Sequence, residues 1–256
     1  MRPVITLLTD FGSADPYVGM MKGVIATICP LANVADITHE VPAQDIRTGA
    51  FFLEQTFRYF PAGTVHVAVV DPGVGTSRKP LAIRSEGHLF VGPDNGLLSL
   101  AARRPRAVTL TCASYFRAAI SPTFHGRDIF APVAAHLAAG VSFESLGPVQ
   151  RRIVKLTRAR PRRLARGLRG TVMSVDRFGN LITNFDSADW SALRRPRLAA
   201  GTFVATALSS SYGAARRGEL VLVLGGYGLL EIAARDASAA KILGLGSGAL
   251  VELLER

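Results

Sequence analysis

The chain has few cysteines and few aromatics: only Cys29 and Cys112 occur among 256 residues, with one tryptophan and 7% aromatic side chains. Two cysteines outside any paired motif argue against a disulfide framework and fit a reducing cytoplasm. No apolar stretch reaches the roughly 18 residues of a membrane span before Gly, Pro or a charge interrupts it. Met1–Arg2 runs straight into the strand-like VITLL, so no signal peptide is expected. A phosphate loop is missing as well, because VDPGVGTS lacks the closing Gly-Lys-Ser/Thr of a Walker sequence. What is abundant is apolar side chains, at 48%, which excludes global disorder and allows a full core.

Acid is scarce in one place. Residues 1–150 balance 12 Lys and Arg against 11 Asp and Glu, whereas 151–256 carry 18 against 8. Within the second half Arg151–Arg169 holds nine basic residues and no acid. Such a run reads as a solvated linker, and it contains no aromatic ring on which a base could stack. Specific nucleic-acid binding is therefore not expected, since charge alone supplies only the sequence-independent term.

Strand-like and helix-like segments alternate in the first half. Val4–Leu8, Asn33–Ile37, Thr64–Val70, Leu81–Ser85 and His88–Val91 read as strands; Tyr17–Ile28, Gln44–Phe57, Gly96–Ala102 and Asp128–Ala139 read as helices. This pattern predicts an α/β N-terminal domain with a mainly parallel sheet. After the basic run come short aliphatic segments at Gly170–Val175, Leu181–Asn184, Thr202–Ala207, Leu220–Leu224, Leu229–Ala233 and Ala249–Leu253. They predict a smaller all-β C-terminal barrel or sandwich. The expected division is 1–148 for the α/β catalytic domain, 149–168 for the basic linker and 169–256 for the β-domain.

Three segments carry chemistry: TDFG at Thr9–Gly12, VVDPGVG at Val69–Gly75 with Arg78 following, and PTFHGRD at Pro122–Asp128. Asp10 and Asp71 each follow an apolar run, which places both at carboxyl ends of strands, where open α/β sheets bind ligands. The turn between Asp71 and Arg78 can fold the two together, and His125 beside Gly126 is a proton donor or acceptor. Asp36 and His39 in DITHE read as ordinary turn residues, and His66 and His136 have no functional case. In the second half VDRFGN offers Asp176, Phe178 and Asn180 around one turn, and GGYGLLEIA offers Tyr227 and Glu231.

In this order the segments resemble the S-adenosylmethionine hydrolase family (SAM hydroxide adenosyltransferases), relatives of the fluorinating and chlorinating enzymes. The likeness spans LLTDFG, DITHEVPAQDI, VVDPGVGTSRKPL, VGPDNGLL, PTFHGRDIFAPVAAHLA, VDRFGNLITN and GYGLLEIA, nearly the whole chain. It implies a homotrimer whose active sites lie between one subunit's N-terminal domain and its neighbour's C-terminal domain. Asp71, Arg78 and His125 would activate water, Asp10 would hold the ribose diol, and Phe178 with Asn180 would contact adenine. Asp176 and Gly225–Glu231, including Tyr227, would lie near the methionine portion. The reaction would release adenosine and L-methionine with no cofactor and no metal. Halogenating relatives place Tyr where this chain has Asp71, so halogenation is not expected.

Other readings of the same residues are a metal-dependent hydrolase using Asp10, Asp36, His39, Asp71 and His125, a non-catalytic adenosine or S-adenosylmethionine binder, and a basic nucleic-acid-associated protein. Chelator-sensitive activity, binding without turnover, and salt-dependent retention on nucleic acid would mark them in turn.

Overall fold

The computed structural model describes residues 2–255. The chain divides into two compact units, Met1–Thr157 and Arg158–Arg256. In the first, the order is β1 (Val4–Thr9), α1 (Tyr17–Ile28), β2 (Asn33–Thr38), α2 (Ile46–Thr56), β3 (Val65–Val69), β4 (Pro80–Ser85), β5 (His88–Pro93), β6 (Arg106–Thr109), α3 (Ala131–Ala138) and β7 (Val149–Gln150). These strands form one sheet in the order β2-β1-β3-β5-β4-β6-β7.

The sheet is mixed rather than mainly parallel. Pairings β1–β2, β1–β3 and β3–β5 are parallel, whereas β5–β4, β4–β6 and β6–β7 are antiparallel. The reason is local: Glu86 and Gly87, both at positive φ, close β4 onto β5 as a hairpin. The strand β6 was not foreseen, since Arg106–Thr109 offers only four residues with Arg at one end. The expected helix at Gly96–Ala102 is instead a turn, with the amide of Ser99 bonded to the carbonyl of Gly96.

Alternation along β1 and β3 divides the core between the two faces of the sheet. Ile5, Leu7, Val67 and Val69 pack with Met21 and Ile25 of α1 and with α3, while Leu8, Ala68 and Val70 pack with Leu53 and Ala50 of α2. Helix α1 presents Val18, Met21 and Ile25 inward at helical spacing, and α2 is capped by Asp45, whose carboxylate accepts from the Thr48 amide at 3.0 Å. The chain thus winds from β1 to β2 on one side and crosses to β3 on the other. The reversal leaves a crevice between the carboxyl ends of β1 and β3, a topological switch point.

Under α2 the sheet buries a polar chain that no sequence pattern announced. Thr6 Oγ1 meets His66 Nδ1 at 2.7 Å, and His66 Nε2 meets His88 Nδ1 at 3.1 Å. Phe57 and Phe90 pack edge-on or stacked against these rings. Burial pushes the His66 imidazole down to about 3, with the neighbouring His88 adding to the shift.

The second unit holds β8 (Arg162–Leu164), β9 (Gly167–Val175), β10 (Leu181–Asp186), α4 (Ser187–Ser191), β11 (Pro196–Ala200), β12 (Phe203–Ala205), β13 (Leu220–Leu224), β14 (Leu229–Ala234), α5 (Ala239–Leu243) and β15 (Leu250–Glu255). Its antiparallel order is β12-β11-β15-β9-β10-β14-β13, with β8 beside β9. The Ser209 amide bonds the Leu222 carbonyl at 2.8 Å, so the chain just past β12 reaches β13 and nearly closes the barrel. Leu181, Phe185, Leu198, Leu230 and Leu253 fill the interior. Within the basic run, Arg162–Leu164 is strand rather than bare linker. Two five-residue helices, α4 and α5, are additions to the all-β expectation.

Candidate active site

Asp10 and Asp71 lie just past the carboxyl ends of β1 and β3, adjacent parallel strands whose last partners are Thr9 and Val69. Both carboxylates therefore flank the switch point, as their sequence positions predicted. Arg78 folds back on Asp71: its Nε donates to Oδ1 and Oδ2 at 2.9 Å each, and its Nη2 donates to Oδ2. Only 9% of the Arg78 side chain and 5% of the Asp71 side chain remain exposed, so the pair is almost wholly withdrawn from water.

Arg78 Nη2 also lies 2.7 Å from His125 Nδ1. A guanidinium has donors only, so His125 Nδ1 accepts, and a neutral ring then carries its proton on Nε2. Burial holds the His125 imidazole below its ordinary value, and Arg78 adds to the shift while Asp71 and Asp128 oppose it. The second terminal nitrogen of Arg78, Nη1, is buried and has no protein acceptor. It is a donor already stripped of solvent.

Two loops must meet for this cluster to form. Gly75 lies at φ +77° with the Pro122 carbonyl 2.6 Å from where a Cβ would stand, so only glycine permits the approach. Phe11, Tyr17 and Phe124 pack edge to face with centroids 5.3–5.9 Å apart, holding the His125 loop against the start of α1. His125 itself precedes a π-helical segment, Gly126–Phe130, that leads into α3. The wide turn changes the fate of Asp128. Expected as the polar start of a helix, it is fully buried, with its oxygens accepting from Arg117 Nη1 (3.1 Å), Arg127 Nε (2.7 Å) and the Ser121 amide (2.9 Å).

Asp128→Ala is expected to destabilise the protein by about 2 kcal/mol, as it leaves two guanidinia and one amide unpaired. That is less than a fully buried pair would lose, because Arg117 and Arg127 keep contact with water. Chemical denaturation of wild type and variant measures it; equal midpoints would show the cluster to be energetically idle.

In the second unit Asp176, Phe178, Asn180 and Tyr212 line one cavity of about 670 Å³, together with Gly213 and Ala234–Ala237. Asp176 is occupied by its own turn: Oδ1 accepts from the amides of Phe178 (2.9 Å) and Asn180 (2.8 Å), and Oδ2 from Asn180 Nδ2 (2.8 Å). Asn180 is thereby fixed, with its Oδ1 carrying none of these bonds, and Phe178 stands 76% exposed beside it. Glu231 is buried away from this wall and accepts from Tyr212 Oη at 2.8 Å. Burial raises the Glu231 carboxyl, and Asp176 adds to the shift; burial and Glu231 together push Tyr212 up to about 12. Gly225 makes room for Glu231, whose Oε1 is 1.7 Å from where a Cβ would stand. Tyr227 sits partly exposed on the same turn. The part of Tyr212 was missed in the sequence, because SSSYGAA shows no spacing that ties it to Glu231.

Among the described residues no three His, Cys, Asp or Glu side chains are grouped to hold a metal ion. Among the described residues no helix is long and apolar enough to cross a membrane.

An α/β sheet with a carboxylate, guanidinium and imidazole gathered at its switch point, followed by an antiparallel barrel, defines a two-unit enzyme for a small molecule. Residues 5–147 match the SAM hydroxide adenosyltransferase N-terminal domain and residues 170–252 the C-terminal domain of the same family. The chain belongs to the SAM hydroxide adenosyltransferase family. An (R)-S-adenosyl-L-methionine hydrolase of Thermus thermophilus is 42% identical over 99% of this chain and all of its own length. A fluorinase of an Actinoplanes species is 28% identical over 73% of each chain. The crystal structure of an uncharacterized conserved protein from Thermotoga maritima superposes with a TM-score of 0.90 at 34% identity, covering 98% of this chain and 100% of that one.

Proposed function

We propose that this protein hydrolyses S-adenosyl-L-methionine to adenosine and L-methionine by attack of water on ribose C5′. The observation that carries the reading is the Asp71–Arg78–His125 cluster at the switch point of a chain in this family.

The C5′–O bond forms as the C5′–S bond breaks, and the bonding pair leaves with sulfur as a neutral thioether. A sulfonium needs no acid to depart, so the protein's task is to place water opposite sulfur and take up a proton. His125 Nε2–H donates to the water oxygen, and Arg78, bound to both Asp71 and His125, fixes the two groups around it. Asp71 takes the proton. Water becomes strongly acidic as it bonds to carbon, so a carboxylate suffices as base once transfer follows bond formation.

Asp10 accepts from the ribose diol, and Asn180 with Phe178 holds adenine. Tyr227 and Glu231, with Asp176 bracing the turn, lie near the methionine portion. We assign the active form to a homotrimer in which one subunit's first unit faces its neighbour's second, as the family resemblance implies; light scattering tests it. The free cysteines, Cys29 and Cys112, support a cytoplasmic setting.

Purified protein incubated with S-adenosylmethionine and EDTA, with products separated by chromatography, tests the reaction. Equimolar adenosine and methionine, with a strong loss in His125→Ala, are expected. Turnover that needs an added divalent metal, or binding without products, would reject this mechanism.

A further inference from the structure

His39 looks like an ordinary turn residue in the sequence, but the structure builds it into a clamp around Asp10. Its side chain is 90% buried, since 10% remains exposed. Nδ1 meets Thr9 Oγ1 at 2.9 Å, and Thr9 is itself fully buried at the last position of β1. The same hydroxyl also accepts from the Phe11 amide at 3.2 Å. Nε2 lies 3.1 Å from Asp36 Oδ1, an ion-pair distance without the alignment of a hydrogen bond, and Asp36 is held from the other side by Lys22 Nζ at 2.7 Å. Burial works against ionisation of Asp36, but the nearby Lys22 and His39 outweigh it and hold its carboxyl below the usual value.

The backbone completes the enclosure. The Gly12 amide donates to the His39 carbonyl at 2.8 Å, and the Val41 amide reaches the Thr9 carbonyl at 3.4 Å. Asp10 lies between these ties. At the far end of the loop the Gln44 amide donates to Asp10 Oδ2 at 2.8 Å. Gln44 makes that bond from φ +64°, a region non-glycine side chains seldom adopt. Strain of this kind persists only where the surroundings impose it. One carboxylate oxygen is therefore aimed by a strained amide, while the loop carrying that amide is anchored through His39.

We propose that His39 is a positioning residue: by bonding Thr9 and bracing the 39–44 loop, it sets the Asp10 carboxylate for a vicinal diol on the substrate's ribose. This rests on the reading of Asp10 given above. It acts through Asp10 and touches no reacting atom, so its removal should be felt at the diol and nowhere else on the ligand.

The test measures dissociation constants for adenosine and 2′,3′-dideoxyadenosine by calorimetry in wild type, His39→Ala and His39→Asn, with steady-state constants alongside. In wild type, adenosine is expected to bind at least tenfold more tightly than the dideoxy analogue, the order of one or two charge-assisted hydrogen bonds. His39→Ala should lose about tenfold for adenosine and less than about twofold for the analogue, raising KM with kcat nearly unchanged. His39→Asn, which keeps a polar atom where Nδ1 stood, should recover most of the loss. Equal weakening of both ligands, or no weakening of adenosine, would overturn the positioning role. Should His39→Ala not fold, His39→Gln, which puts no polar atom where Nδ1 stood, carries the same comparison, and an unchanged adenosine preference in it overturns the role. A wild-type protein that fails to prefer adenosine instead removes the diol assignment of Asp10, and the inference with it.

Discussion

Asp71→Asn is expected to lower kcat by about a thousandfold, within the roughly 10²–10⁴ that a positioned acid–base group contributes, while KM changes little. The amide keeps the size of the side chain and can still accept from Arg78 through its oxygen, so the loop stays in place. What it loses is a site for the proton released as C5′–O forms. His125→Ala should lose less, because the geometry gives Nδ1 to Arg78 and leaves Nε2 a donor rather than an acceptor. Product formation under saturating S-adenosylmethionine decides the matter. If Asp71→Asn keeps activity within tenfold of wild type while His125→Ala abolishes it, the imidazole is the base and the tautomer argument is wrong.

Stability should fall in acid from an unusually high pH. His66 ionises near its ordinary 6.5 when unfolded, but burial holds it at about 3 in the folded chain. Above pH 6.5 neither state is protonated, so no penalty exists and the stability is fully present. Between 6.5 and 3 the unfolded chain binds a proton that the folded chain refuses, and stability drops by about 1.4 kcal/mol per pH unit. The full interval amounts to about 5 kcal/mol. Burial likewise lowers His88 and His136, which act in the same direction. Denaturation midpoints measured from pH 8 to pH 4 should be level at first and then decline below about 6.5. His66→Gln, which can still bond Thr6, should flatten the decline by close to one proton. An unchanged slope in that variant would place the acid sensitivity elsewhere.

The legible parts of this chain were those written in local pattern. Asp10 and Asp71 could be placed at strand ends because an apolar run stops at each, and Arg78 could be brought to Asp71 because a Gly-rich turn separates them. Other features depend on residues distant in sequence. The antiparallel half of the sheet follows from a two-residue turn at Glu86–Gly87 and from β6, a strand too short to show a period. Asp128 looks like a helix start, since a π-turn and an α-turn begin alike in sequence; only the wider turn and the donors from Arg117 and Ser121 explain its burial. His39 reads as a turn residue for a similar reason. Nothing within DITHE reports that Thr9, thirty residues earlier, would complete its hydrogen bond.

The groups assigned to catalysis and ribose binding in the first unit lie on three loops beyond the ends of β1, β3 and the segment before α3, outside the hydrogen-bonded ladder and outside both apolar layers. In the proposed mechanism the attacking water is handled by loop residues, so an exchange at Asp71 or His125 does not ask the sheet to repack. A fold so arranged can diversify its chemistry at low structural risk, and the likeness of this chain to proteins named hydrolase and to proteins named fluorinase is the outcome that separation permits.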